Sequence, residues 1–256
     1  MMLKDRIAVV TGASAGIGRA MARRFASEGA RVVVNARRAD RLDALVGEIV
    51  SDGGAAVAVS GDAASNETIA SMLDAAKATW GAPVDLAVAN AGRGLSGSPL
   101  TSDEGQWEEV IRTNFLGAMR FCRAAAGAML ESLETDDWTR TPRDLVVISS
   151  SVGRNVSPFS SMYGATKFAI TSIAEAMRRE IGPKGVRVTA IHPAVVESEF
   201  QGVAGYDAAQ FGSFMESIGP VLQPEDIADL IAFAASRPAH VNLNDIMIRP
   251  TRQDYP

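Results

Sequence analysis

Tyr163 and Lys167 stand four residues apart in Tyr163-Gly164-Ala165-Thr166-Lys167, at the start of a segment whose apolar positions Ile170, Ile173, Met177 and Ile181 have helical spacing. On a helix, that spacing puts the phenol and the ammonium on one face. A phenol with a pKa of about 10 is a poor acid or base at neutral pH, but a neighbouring cation favours the phenolate and lowers that value. Such a pair can shuttle a proton. The same pattern also describes plain packing beside a snorkelling cation, so the surroundings must decide. Upstream, the apolar run Leu145-Val146-Val147-Ile148 ends in Ser149-Ser150-Ser151. A hydroxyl at the end of a strand can orient a carbonyl or hydrogen-bond a developing oxyanion, although serine clusters also build ordinary turns.

A second constellation lies near the N-terminus, where Thr11-Gly12-Ala13-Ser14-Ala15-Gly16-Ile17-Gly18 follows an apolar run and precedes a helical pattern through Met21, Phe25 and Ala26. Three glycines alone make only a tight turn with positive φ. In the order strand, glycines, helix they let backbone N–H groups and the helix dipole approach a pyrophosphate. At the end of the next strand an acid would bind a ribose 2′-hydroxyl, whereas a 2′-phosphate needs cations. The chain reads Asn35-Ala36-Arg37-Arg38, with no carboxylate before Asp40. This favours NADP(H) over NAD(H), with Arg37 foremost because it comes first after the strand. The alternative is that both arginines are solvated charges at a helix start.

The elements needed to position these groups are legible as short β-branched runs separated by helix-length amphipathic segments: Ile7–Thr11, Val32–Asn35, Ala56–Val59, Leu86–Ala89, Leu145–Ser149, Val186–Ile191 and Ile246–Ile248. Nearly continuous apolar runs are expected of parallel strands buried on both faces. The pattern predicts one α/β domain over residues 1–256, a doubly wound parallel sheet of about seven strands with helices on both faces. Right-handed crossovers would gather the strand-end loops into one crevice. The polar stretch Glu134–Asp144 is expected to be a surface loop, the alternative being that Trp138 makes a partner contact.

Composition excludes several classes. With 47% hydrophobic and 21% charged residues the chain is neither disordered nor fibrous. A net charge of −5 argues against a nucleic-acid binder. No apolar stretch approaches the length of a membrane span or of a signal-peptide core, so a cytoplasmic location is expected. The single cysteine, Cys122, is expected to be a helix packing residue, and no metal cluster is expected.

Taken together, these motifs resemble those of the short-chain dehydrogenase/reductase family along nearly the whole chain. The family's Thr-Gly-x-x-x-Gly-x-Gly turn is matched by Thr11–Gly18 and its Tyr-x-x-x-Lys pair by Tyr163 and Lys167; its serine, with a glycine three residues on, falls on Ser150 and Gly153. The resemblance implies a Rossmann-like fold and Asn114, Ser150, Tyr163 and Lys167 as catalytic residues. For the cofactor it implies Gly12, Ser14, Gly16, Ile17 and Gly18 at the pyrophosphate, and Asp62 with Ala63 at the adenine. Asn90, Ala91 and Gly92 would lie along the cofactor, Tyr163 and Lys167 at its nicotinamide ribose, and Pro193, Val196 and Ser198 at the nicotinamide carboxamide. Asn114 falls in the apolar stripe of a helix with Trp107, Val110, Ile111, Gly117 and Phe121. A polar residue there needs a partner, a backbone group or a relay water.

Two departures stand out: Ala15, where some NADP-preferring relatives carry a basic residue, and Ala194 with Ser198 in place of the usual Gly and Thr. His192 reads as structural rather than catalytic. The C-terminal stretch from Arg237 to Asn244, followed by Ile248-Arg249-Pro250-Thr251, resembles a branch acting on 3-hydroxy acids, including serine-like ones, and on short alcohols. Arg93 and Arg154 are candidates for a substrate carboxylate, or else solvated. Residues around 198–220, with Phe200, Tyr206, Phe211, Phe214 and Met215, read as a mobile lid over an apolar pocket. Ketones, aldehydes and 3-oxoacyl compounds all fit as substrates. A non-catalytic NADP(H) sensor and a partner-binding protein using the Trp138 loop are the competing readings. The helices around Asn114 and Tyr163 resemble subunit-pairing helices, which implies a homodimer or homotetramer.

Overall fold

The computed structural model describes residues 1–133 and 137–255. Seven parallel strands form one sheet in the order β3-β2-β1-β4-β5-β6-β7. They are β1 (Ile7–Thr11), β2 (Arg31–Ala36), β3 (Ala55–Ser60), β4 (Leu86–Ala89), β5 (Arg143–Ile148), β6 (Val186–Pro193) and β7 (Asp245–Ile248). Successive side chains of a strand point to opposite faces. Accordingly Ala8, Val10, Val32 and Val34 join one core, while Ile7, Val9 and Val33 join the other.

Helices cover both faces. The first core packs against α1 (Gly16–Ser27), α2 (Ala39–Ser51) and, late in the chain, the helix over Pro224–Ala235, through Met21, Phe25, Leu42, Leu45, Ile227 and Ile231. The second packs against α3 (Asn66–Trp80), Ala118–Leu133 and Ser161–Ile181, through Ile69, Met72, Phe121, Met129 and Ile170. In chain order the remaining helices are α4 (Trp107–Ile111), α5 (Ala118–Leu133), α6 (Ser161–Ile181), α7 (Phe200–Ala204), α8 (Ala208–Ile218) and α9 (Pro224–Ala235). Cys122 on α5 is fully buried, and burial pushes its thiol up to about 12, so it packs and does not react at neutral pH. Because β1 pairs with β2 on one side and β4 on the other, the winding reverses between β1 and β4, and a crevice opens beyond their carboxyl ends.

The expected loop over Glu134–Asp144 is shorter than its polarity suggested. Residues 134–136 lie outside the described residues, but β5 already begins at Arg143, and Arg143 and Asp144 are buried. The cause is a buried ionic network: Asp144 accepts from Arg6 Nη2 at 2.7 Å and from Arg187 Nε and Nη2, both at 2.8 Å. Trp138 lies over Gly185, whose missing Cβ would sit 2.6 Å from the Trp138 Cβ, so its ring is partly packed. Among the described residues no helix is long and apolar enough to cross a membrane.

Candidate active site

At the end of β1 the chain turns through Gly12 (φ +70°) and Gly16 (φ +52°) into α1. A Cβ on Gly18 would lie 2.3 Å from the Gly12 carbonyl oxygen, so only glycine lets the first turn of α1 close onto the strand end. Thr11 Oγ1 accepts from the backbone N–H groups of Asn90 (2.9 Å) and Ala91 (3.0 Å), while Asn90 Nδ2 donates to the Thr11 carbonyl at 2.8 Å. These bonds lock the Asn90–Gly92 turn beside the glycine turn.

Beyond β2, Arg38 rather than Arg37 engages the glycine turn: its Nη2 donates to Ser14 Oγ at 2.9 Å. Arg37 is exposed along the same cavity. Asp62 is more committed than the sequence implied. Its Oδ1 accepts from the Ala64 N–H at 3.0 Å and its Oδ2 from Arg112 Nη1 at 2.6 Å. Burial works to raise the Asp62 pKa, but these two donors outweigh it and leave the carboxyl below its usual value. Arg112 is a partner that nothing in the local sequence announced.

At the other end of the cavity, β5 stops at Ile148 and Ser150 caps a short 3-10 turn, its Oγ accepting from the Val152 N–H at 3.3 Å. The serine-to-glycine spacing has a steric reason. A Cβ on Gly153 would lie 2.5 Å from Ser149 Oγ and 3.0 Å from the Lys167 carbonyl, so glycine lets this turn press against α6. Tyr163 and Lys167 are both buried on that helix, with Lys167 Nζ donating to the Ile148 carbonyl at 2.8 Å and lying 5.7 Å from the Tyr163 ring centroid. Burial pulls the Lys167 ammonium down to about 8. The expectation that the ammonium lowers the phenol is corrected here. Burial dominates and holds the Tyr163 phenol above its usual value, a hydrogen bond with Ser150 opposes it, and nearby Tyr206 adds to it. The phenol is therefore protonated at neutral pH, the state required of a proton donor.

Asn114 is buried, as its place in the stripe demanded, but the helix there is not regular. Arg112–Gly117 forms a π turn between α4 and α5, a rarity that concentrates at functional sites. The Asn114 side chain clasps the Arg93 backbone, accepting from its N–H and donating to its carbonyl, both at 2.8 Å, and also donates to Thr166 Oγ1 at 3.1 Å. These partners are the Arg93 backbone and the Thr166 hydroxyl, and they fix the segment that follows Gly92. Ile111 faces outward, unlike its place in the expected stripe.

His192 is fully buried, with Nδ1 3.3 Å from the Ser150 carbonyl and Nε2 3.2 Å from Asp245 Oδ1. Burial, and then the charge of Arg154, bring its pKa down to about 4, so it supports the Ser150 backbone as a neutral ring. Arg154 pairs with Asp245 and is not among the residues that line the cavity. Arg93 lines the cavity and donates through Nη2 to Gln106 Oε1 at 2.5 Å.

The last residue of β6, Pro193, and Val196 and Ser198 in the loop after it reach the cavity wall, and α7 and α8 roof it. Phe200 packs on Tyr163 with centroids 5.4 Å apart, and Tyr206 stacks on Phe211 at 5.2 Å. One cavity of about 880 Å³ runs from Ser14 and Arg38, past Asn90, to Ser150, Tyr163 and the aromatic roof. Gln253 and Tyr255 from the C-terminal tail also line it, which no motif indicated.

Comparison with known proteins agrees with this fold. The family model described as short chain dehydrogenase matches residues 6–207. An uncharacterized oxidoreductase of Staphylococcus aureus is 32% identical over 249 residues, covering 97% of this chain and 99% of that protein. The closed form of serine dehydrogenase complexed with NADP+ superimposes with a TM-score of 0.86 at 30% identity, over 97% of this chain and 96% of that one. A 3-ketoacyl-(acyl-carrier-protein) reductase of Brucella melitensis complexed with NADH gives 0.86 at 26% identity, over 98% and 99%.

Proposed function

The chain is an oxidoreductase belonging to the short-chain dehydrogenase/reductase family, and from that footing we propose that it transfers hydride between NADP(H) and a carbonyl compound or the corresponding alcohol. The observation that carries the reading is a single cavity with Ser14 and Arg38 at one end and Ser150, Tyr163 and Lys167 at the other.

The residues fit a dinucleotide. The glycine cradle at Gly12, Gly16 and Gly18 admits a pyrophosphate onto the start of α1, with Ser14 and Ile17 beside it. Arg37 and Arg38 would take a 2′-phosphate. Asp62 and Ala63 would flank the adenine, Asn90, Ala91 and Gly92 the middle of the cofactor, and Pro193, Val196 and Ser198 the carboxamide. When bound, the nicotinamide supplies the hydride for reduction and accepts it in oxidation. Tyr163 gives its phenolic proton to the carbonyl oxygen, which Ser150 orients. Lys167 stabilises the phenolate that remains and binds ribose hydroxyls. Asn114 braces the strand-end segment next to Lys167 through the Arg93 backbone and Thr166.

The aromatic roof favours a substrate with apolar bulk. With Arg154 outside the cavity lining, a 3-hydroxy acid would have to rely on Arg93, so ketones and aldehydes lead, and 3-oxoacyl compounds remain in the class. The intact donor, serine and lysine weigh against a sensor that has lost turnover. Calorimetric titration with NADPH and NADH side by side tests the cofactor: NADPH should bind about tenfold or more tightly, as two charge-assisted contacts to a phosphate imply. Equal or tighter NADH binding would defeat the NADP reading.

Ile111, Leu116 and Met119 on and beside the π turn, and Phe168 on α6, are exposed apolar side chains on neighbouring helices. They support a dimer or tetramer built across these helices. Light scattering should give a mass at least twice that of the chain; a monomer mass independent of concentration would contradict it.

A further inference from the structure

The sequence around the end of β2 lacks a carboxylate, yet the fold returns one from far along the chain. Glu199, at the start of α7, accepts from Arg41 Nη1 with both oxygens, at 2.8 and 2.9 Å, and lies 3.4 Å from Arg38 Nη1 through its Oε2. The other edge of the Arg38 guanidinium is on Ser14 Oγ. Glu199 therefore sits on Arg38, one of the two cations that would receive a 2′-phosphate, and on Arg41 beside it. Its ion pairs are half exposed, hence weak, and a dianionic phosphate would compete with them effectively. The next residue, Phe200, packs on Tyr163. Two adjacent residues thus join the adenosine end of the cavity to the proton donor.

We infer that Glu199 is a specificity-determining residue. It holds Arg38 and Arg41 in the free enzyme and is displaced by the 2′-phosphate of NADP(H), which unfastens the roof segment that seats Phe200 on Tyr163. The inference rests on the NADP reading above. It makes the roof responsive to the phosphate that distinguishes the two cofactors, and it makes Glu199 a cost on NADP(H) binding that NAD(H) does not meet.

The test uses two fragments that do not reach the nicotinamide end, 2′,5′-ADP and 5′-AMP, titrated calorimetrically into the wild type and Glu199→Gln alongside NADPH and NADH. The expected result is that Glu199→Gln binds 2′,5′-ADP and NADPH about threefold or more tightly and binds 5′-AMP and NADH unchanged. Hydrogen exchange over residues 199–204 should rise when 2′,5′-ADP binds the wild type and should not rise further in the variant. The double variant Arg41→Gln with Glu199→Gln should show a smaller gain, because one of the contested cations is gone. Unchanged or weaker binding of 2′,5′-ADP by Glu199→Gln would overturn the inference. So would a loss of NADH affinity alone, which would make Glu199 the acid for a ribose hydroxyl. A wild type that prefers NADH would sink the cofactor reading and this inference with it, whereas a wild type that prefers NADPH, with 2′,5′-ADP binding unchanged by the variant, would overturn this inference alone.

Discussion

Tyr163→Phe is expected to lower kcat for carbonyl reduction by about 10²–10⁴ while leaving NADPH affinity within about twofold, since a positioned proton donor is worth that much. The change removes one oxygen and keeps the ring that packs on Phe200 and is buried over α6. What is lost is the proton that burial keeps on the phenol at neutral pH. Lys167 sets the pH dependence of the same step. Its pKa is pulled down by burial to about 8, so it is charged below that pH and neutral above it. The phenolate formed on proton transfer then loses its counter-ion as pH rises, and reduction should slow above about pH 8. Lys167→Met should slow the reaction and remove that break. Steady-state kinetics over pH 6–10 read both effects, and full turnover by Tyr163→Phe would refute its role.

Asp144→Ala should destabilise the fold by about 3–5 kcal/mol, the penalty for leaving buried charge without its partner. Asp144 joins Arg6 on the approach to β1 to Arg187 on β6, and its side chain and that of Arg187 are each only 5% exposed. Arg187 also donates to the carbonyls of Ala235, Arg237, Pro238 and Val241, so its guanidinium cannot swing out to water without abandoning the end of α9. Asp85 takes Arg6 Nε at 2.5 Å and compensates on one side alone. At about 2–4 °C per kcal/mol for a chain of this size, the melting temperature should fall by roughly 10 °C. Asp144→Asn should cost less because it keeps an acceptor. A shift of under about 2 °C for the alanine variant would show that the network is not buried as described.

The strands were legible because parallel strands covered on both faces leave Val, Ile and Ala in near-continuous runs, as in Ile7–Val10 and Val32–Val34. The turn at Thr11–Gly18 was legible because its glycines answer steric demands visible in their spacing. The start of β5 was not, because Asp144 is a polar residue that becomes buried only through Arg6 and Arg187, each more than forty residues away. Likewise the π turn at Asn114 follows from its side chain reaching the Arg93 backbone and Thr166, contacts that no local period encodes. For Tyr163 the spacing places Lys167 near the phenol, but only the packed fold shows how strongly burial opposes ionisation. Glu199, 161 residues from Arg38, marks the same boundary between pattern and tertiary contact.

The central claim, hydride transfer to a carbonyl with Tyr163 as the proton donor, is tested most directly with NADPH carrying deuterium at the transferable position of its nicotinamide, incubated with the enzyme and a panel of ketones, aldehydes and 3-oxoacyl thioesters. The account predicts deuterium on the carbinol carbon of at least one product, in step with cofactor oxidation, and its loss in Tyr163→Phe. Bound NADPH that stays reduced across the panel, or a product formed without the label, would contradict it.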